Sequence, residues 1–248
     1  MLNFSLEKLN HHAAEKIKPF FQDILGQYHE NIHSIYVTGT AITDDFDIKR
    51  SDVNSIFVLK DMDLKFLKLI APLGKKYSKN KVAAPLIMTP EYIRTSLDVF
   101  PIEFLNFKLI HAVVFGDDIL KDIEIGRKNL RLQCERELKT KLILLRQGYI
   151  SSLGDKKLLT DNIVNSITGY IPLFRGIIML LGKEPPVIQG GAIKALTEAA
   201  GINTDVFAKV LQEKHERIKL SMEDLDTIFE DYYTATEQLG RMINEIKE

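Results

Sequence analysis

The sequence predicts an α+β protein. A small mixed β-sheet with flanking helices is expected over residues 1–118, followed by an all-helical bundle over 119–248. Two observations carry this. Runs rich in β-branched and aromatic residues, at 34–38, 53–59 and 102–107, alternate with helical patterns up to about residue 120. Beyond that point helical periodicity continues to the end and the strand-like runs stop. The 248 residues fit one large domain or two small ones. An apolar content of 45% is enough for a real core.

The elements follow in order. Phe4 to Leu25 reads as an amphipathic helix, because Leu6, Leu9, Ala13, Ile17, Phe20 and Ile24 recur at three- and four-residue steps. Gly39 to Ser51 is a polar turn region between the first two strands. Leu64 to Leu69 is helical. Lys75, Lys76, Lys79 and Lys81 then read as a solvated basic loop, with contact to phosphate or RNA as the alternative, leading to an apolar run, Ala83 to Met88. Thr89-Pro90-Glu91 starts a helix: Thr89 caps it, and Pro90 sits where its missing N–H costs nothing. The strand expected at 102–107 alternates Ile102, Phe104 and Phe107 around Glu103.

In the second half, a helix from about Arg127 to Ile150 carries Leu130, Cys134, Leu138, Leu142, Leu145 and Tyr149 on one stripe. A second covers Asp161 to Leu181, with a kink expected at Pro172. Pro185-Pro186 breaks the chain. Gly191 to Ala200 and Thr204 to Glu216 are shorter helices. Ser221 with Asp224 resembles a capping box opening the last helix, whose apolar residues run from Leu225 to Ile246.

Composition narrows the classes. The chain carries 33 Lys and Arg against 34 Asp and Glu, a formal charge of -1, which gives no support to a nucleic-acid or membrane-surface partner. One cysteine, Cys134, excludes an internal disulfide and fits a reducing cytosol. Six histidines and one cysteine form no spaced zinc set. The start, Met1 to Lys8, lacks the apolar core of a signal peptide. The most apolar stretch, Ile167 to Leu181, is interrupted by Pro172 and Arg175 and is too short for a bilayer. A soluble, cytoplasmic protein is expected.

Three pieces of the first half belong together: Tyr36-Val37-Thr38-Gly39-Thr40, Ser51-Asp52-Val53-Asn54, and Glu103 within Pro101-Ile102-Glu103-Phe104. Residues i and i+2 of a strand share a face, so Asp52 and Asn54 point together, with Glu103 expected on a neighbouring strand. Gly39 allows close approach of a ligand, and Thr40 offers N–H and hydroxyl donors to a phosphate. A phosphate cradle facing clustered acids is what Mg²⁺-assisted nucleotidyl transfer requires.

With its Gly-hydroxyl pair, Ser-Asp-x-Asn and later acid, the chain resembles the DNA polymerase beta-type nucleotidyltransferase superfamily. From Ile35 to Leu120, including Val114-Phe115-Gly116-Asp117-Asp118, it looks most like bacterial stand-alone nucleotidyltransferase-domain proteins with a helical C-terminal region. The resemblance implies a nucleotide site at Gly39, Thr40 and Ser51. It also implies Asp52 and Glu103 as catalytic carboxylates, and Mg²⁺ held by Asp52, residue 54 and Glu103. Asn54 stands where the family has its second carboxylate, which removes a charge from the metal site.

Other groups are read more plainly. Asp44, Asp45 and Asp47 form a solvated turn, with replacement of the missing carboxylate as the alternative. His11, His12, His29 and His33 are surface residues, and Cys134 is core. Arg175, amid Leu173, Phe174 and Ile177, either pairs internally or faces a cleft and binds phosphate, as Arg146 could. The expected function is a nucleotidyltransferase-fold protein that binds nucleotide or metal, with weak or lost transfer. The alternatives are an active Mg²⁺-dependent transferase acting from an NTP on a small-molecule or protein hydroxyl, and a non-enzymatic dimerisation module. A homodimer is expected from leftover apolar helix surface.

Overall fold

A computed structural model describes residues 4–216 and 220–246. Met1 to Asn3, which open the stretch read above for a signal peptide, lie outside the described residues. The chain divides into two compact units, Met1–Val99 with Phe104–Glu124, and Phe100–Glu103 with Ile125–Glu248.

The first unit is built on a four-stranded mixed sheet. Its strands are β1 (Ile32–Thr38), β2 (Asn54–Leu59), β3 (Leu86–Met88) and β4 (His111–Gly116), in the spatial order β3-β2-β1-β4. β1 pairs antiparallel with β2 and β4, and β2 pairs parallel with β3. α1 (His11–Tyr28) and α2 (Leu64–Tyr77) bury their apolar sides with one face of the sheet. Ile17, Phe20, Phe21 and Ile24 meet Ile35, Val37, Phe57, Phe66 and Ile70 in one cluster. Tyr36, Ile56 and Val58 alternate onto the other face and are equally buried. α3 (Pro90–Ser96) starts as the sequence predicts, with the Thr89 hydroxyl accepting the Tyr92 N–H at 3.1 Å.

Four expectations for this region change. Residues 4–10 do not join α1. The Ser5 N–H goes to the Val114 carbonyl of β4 at 3.0 Å, and Asn10 caps the helix by accepting the His12 N–H. The basic run does not form a simple loop: α2 continues through Lys75 and Lys76, and Lys76 reaches Asp23 at 2.8 Å. The Lys76 ammonium and the Tyr77 hydroxyl together hold the Asp23 carboxyl below its usual range. Residues 102–107 are not a strand but part of the helix α4 (Pro101–Leu109). The strand lies further on, as β4, which the sequence reading missed.

The second unit is helical, made of α5 (Arg127–Ser151), α6 (Lys156–Ser166), α7 (Ile171–Leu180), α8 (Gln189–Ala200), α9 (Asp205–Glu216) and α10 (Met222–Glu245). α5 buries Leu130, Cys134, Leu138 and Leu145. Burial pushes the Cys134 thiol up, which fits a core residue rather than a nucleophile. The helix expected over 161–181 is two helices, because a 3-10 turn at Ile167–Gly169 bends the chain by 43° before Pro172, which sits in the first turn of α7. α10 begins with the capping box: the Ser221 hydroxyl accepts the Asp224 N–H, and the Asp224 carboxylate accepts the Ser221 N–H. No single helix among the described residues is long and apolar enough to cross a membrane.

Candidate functional site

In the first unit, the end of β1 and the start of β2 place several sequence-flagged residues side by side. Thr38 is in register with Asn54 on one side and His111 on the other, so the three form a row across the sheet. Gly39 follows Thr38 with φ +75°, a left-handed conformation that favours glycine. A Cβ there would lie 3.8 Å from the Asn54 amide nitrogen, so Gly39 and Asn54 are close neighbours. Thr40 lies in the 3-10 turn Gly39–Ile42 that leaves the sheet.

Asp52 lies two residues before Asn54, with its side chain 59% exposed. Its ionic neighbour is Lys81, with the ammonium 3.9 Å from the carboxylate. The backbone brings Lys81 there. The Val53 N–H donates to the Lys81 carbonyl at 2.8 Å, the Ala83 N–H donates to the Val53 carbonyl at 3.1 Å, and Lys81 itself takes a left-handed turn with φ 60°. Ser51 closes a turn: its hydroxyl accepts the Asp47 N–H at 3.0 Å. The Asp47 carboxylate accepts the N–H groups of Lys49 and Arg50 at 2.8 and 3.0 Å. β3, the strand beyond β2, brings Leu86, Ile87 and Met88, with no carboxylate.

Glu103 requires a correction. It lies in the first turn of α4 rather than on a strand, and its carboxylate accepts from the Gln133 amide at 2.8 Å. The same glutamine takes the Ile102 N–H at 2.8 Å. An acid at a helix start is favoured by the helix dipole. Arg175 also changes role. It is buried in α7 and donates to the carbonyls of Pro186 and Val187 at 3.0 and 2.5 Å, so it holds the proline-rich loop rather than facing a phosphate.

Among the described residues, the one group of three His, Cys, Asp or Glu side chains close enough to share an ion is His11, His12 and Glu15, all exposed on α1. Neither Asp52, Glu103 nor the loop acids Asp44, Asp45 and Asp47 enter such a group. A paired Mg²⁺ site draws on several carboxylates in tight octahedral geometry.

Sequence reasoning missed His111. Its ring is partly buried: Nδ1 lies 2.7 Å from the Phe107 carbonyl, and Nε2 lies 2.9 Å from the Asp118 carboxylate. The ring meets Tyr36 edge-on at 5.5 Å. The Tyr36 hydroxyl donates to the Asp117 carbonyl at 2.6 Å and accepts the Ile119 N–H at 3.0 Å. Burial, above all, pushes the Tyr36 phenol up. The signal was present in His111-Ala112-Val113-Val114-Phe115-Gly116, a β-branched run closed by glycine, with Asp118 just beyond.

The α+β architecture, a small mixed sheet followed by helices, is shared with a solved nucleotidyltransferase. Among solved structures, a spectinomycin adenyltransferase from Enterococcus faecialis, crystallised with ATP and spectinomycin, is similar over 91% of this chain and 98% of its own, at 14% identity and a TM-score of 0.55. At that identity the likeness concerns the fold. A nucleotidyltransferase-like protein from Exiguobacterium sibiricum aligns over 90% of this chain and 75% of its own, at 12% identity and a TM-score of 0.33. No protein-family model matches the sequence, and no curated protein matches it.

Proposed function

We propose that this chain is a nucleotidyltransferase-fold protein that binds a nucleotide but has lost metal-pair transfer. The observation that carries the reading is Asp52 facing Lys81, with Asn54 where a second carboxylate would stand. An exposed lysine beside Asp52 supplies positive charge to a nucleotide phosphate without a metal. The open approach at Gly39, and the ATP in the similar adenyltransferase, support nucleotide as the ligand. The alternative of an active transferase, with a loop acid in the missing role, is weakened by Asp47, whose carboxylate already accepts turn N–H groups.

The test is a titration of ATP into the full chain with Mg²⁺ and with EDTA, beside an assay for transfer of labelled nucleotide. Binding of similar strength in both conditions is expected, with no transfer. Asn54→Asp places a second carboxylate on the Asp52 face and is expected to tighten Mn²⁺ by about 1 kcal/mol, the scale of one charge-assisted contact. It is not expected to restore transfer. Transfer by the unmodified chain would sink the reading, and so would ATP binding that disappears with EDTA.

A homodimer belongs to the same proposal. Ile143, Leu144 and Ile150 on α5, with Leu153 and Leu158 just beyond, leave apolar side chains in water, Leu153 being 89% exposed. Light scattering at micromolar concentration is expected to give twice the chain mass. A clean monomer would count against it.

A further inference from the structure

The helical unit holds a cavity of about 270 Å³ lined from α5, α6 and α10. Leu145, Leu159, Ile163 and Tyr170 form its buried wall. Tyr149 and Phe229 stack with centroids 4.5 Å apart along one side, and the Tyr149 hydroxyl donates to Asp226 at 3.0 Å, which fixes that wall. The volume falls just below the ~300–1,000 Å³ that takes drug-sized ligands, so it suits a small molecule.

Of the residues lining the cavity, Lys141 carries the charge. Its ammonium lies 4.5 Å over the Tyr170 ring, and a Cβ on Gly169 would meet it at 3.1 Å. Among the described residues it forms no ion pair, and Glu137, one turn earlier, lies instead 3.8 Å from Arg136. Burial holds the ammonium below the ordinary lysine range, against a weaker upward pull from Glu137. A partly buried cation without an ion-pair partner carries a desolvation cost, and the contact with Tyr170 offsets only part of it. An arriving anion would supply the missing charge.

The other polar groups narrow the ligand. The Asn162 amide already donates to the Gly148 carbonyl at 3.1 Å. The Ser166 hydroxyl donates to the Ile163 carbonyl at 2.7 Å and contacts the Tyr232 hydroxyl at 2.8 Å. Lys141 is then the one charged donor among the lining residues, which suits a monoanion better than a phosphate with its higher charge and many acceptors.

We propose that this cavity binds a small apolar carboxylate, its head paired with Lys141 and its body against Leu145, Leu159, Ile163 and the Tyr149–Phe229 stack. The cavity shares no residue with the proposed nucleotide site. Octanoate is a suitable probe, with octanamide and octylammonium as neutral and cationic matches. Calorimetric titration of the full chain at neutral pH is expected to show saturable octanoate binding, about tenfold tighter than octanamide, and no binding of octylammonium. Lys141→Met keeps an apolar stem and is expected to bring octanoate and octanamide within about twofold, whereas Lys141→Arg keeps the preference. Equal affinities for the three probes, no saturation at millimolar octanoate, or an unchanged preference in folded Lys141→Met would overturn the proposal. Should Lys141→Met fail to fold, methyl NMR of the unmodified chain decides. Octanoate is expected to shift Leu145, Leu159 and Ile163, and shifts confined to other methyls refute the site.

Discussion

Gly116→Ala is expected to destabilise the first unit by more than ~3 kcal/mol, among the larger effects of a single substitution. Gly116 closes β4 with φ +76° and pairs with Ser34 of β1. A Cβ there would lie 2.0 Å from the His33 carbonyl oxygen and 2.9 Å from the Ser34 Cα. Both atoms belong to the backbone, so no side-chain rotation relieves the overlap, and β1 or β4 must move. Those strands carry Thr38 and His111, so the loss should spread to the candidate site. Gly39→Ala is the control. It has the same backbone sign, but its nearest contact is the Asn54 amide at an ordinary 3.8 Å. It should cost only the left-handed penalty of about 1–2 kcal/mol. Thermal melts with hydrogen exchange at the β1 and β4 amides separate the two. Equal losses would mean that the sheet yields easily at residue 116.

What the sequence made legible follows from whether the controlling contact was local. The Thr89 cap of α3 and the Ser221–Asp224 box of α10 lie within three residues of the groups they satisfy, and both form as read. The long apolar stripe of α5 needed no partner to be recognised. The failures have distant causes. The start of α4 is held by Gln133, whose side chain takes the Ile102 N–H from 31 residues away. Without that contact, the spacing of Ile102, Phe104 and Phe107 reads as strand alternation. Residues 4–10 are drawn out of α1, with the Ser5 N–H on the Val114 carbonyl of β4. Both errors stem from one displacement, β4 being expected too early.

The candidate site divides the same way. Asn54 opens β2 with Asp52 two residues before it, and Gly39 follows β1 as a close neighbour of Asn54. Glu103 was placed by an assumed strand, so it left that strand when the segment proved helical. Lys81 as the partner of Asp52 was hidden, because it depends on the turn after α2 and on the backbone bonds around Val53. The arrangement has Asn54 in place of a carboxylate and adds Lys81 beside Asp52, and that shift of charge underlies the proposed metal-free binding.

Phe207→Ala is expected to cost the helical unit about 3–5 kcal/mol, the range for emptying a buried aromatic site. Phe207 is fully buried, with ring centroids 4.8 Å from Phe174, 4.8 Å from Tyr232 and 5.3 Å from Tyr170. Tyr170 and Tyr232 are 5.1 Å apart, so the four rings close around one another. The two phenols cannot swing freely into the vacated space. The Tyr170 hydroxyl is held by Thr236 at 3.0 Å, and that of Tyr232 by Ser166 at 2.8 Å. Relaxation that filled the cavity would break one of these bonds, so either route leaves a large loss. Tyr232→Phe serves as a control: it keeps the ring, removes one hydrogen bond and should cost about 1 kcal/mol. Denaturant unfolding followed by near-ultraviolet circular dichroism reads both variants through the tyrosines. Similar losses in the two would show that the hydroxyl bonds, rather than ring packing, hold this core.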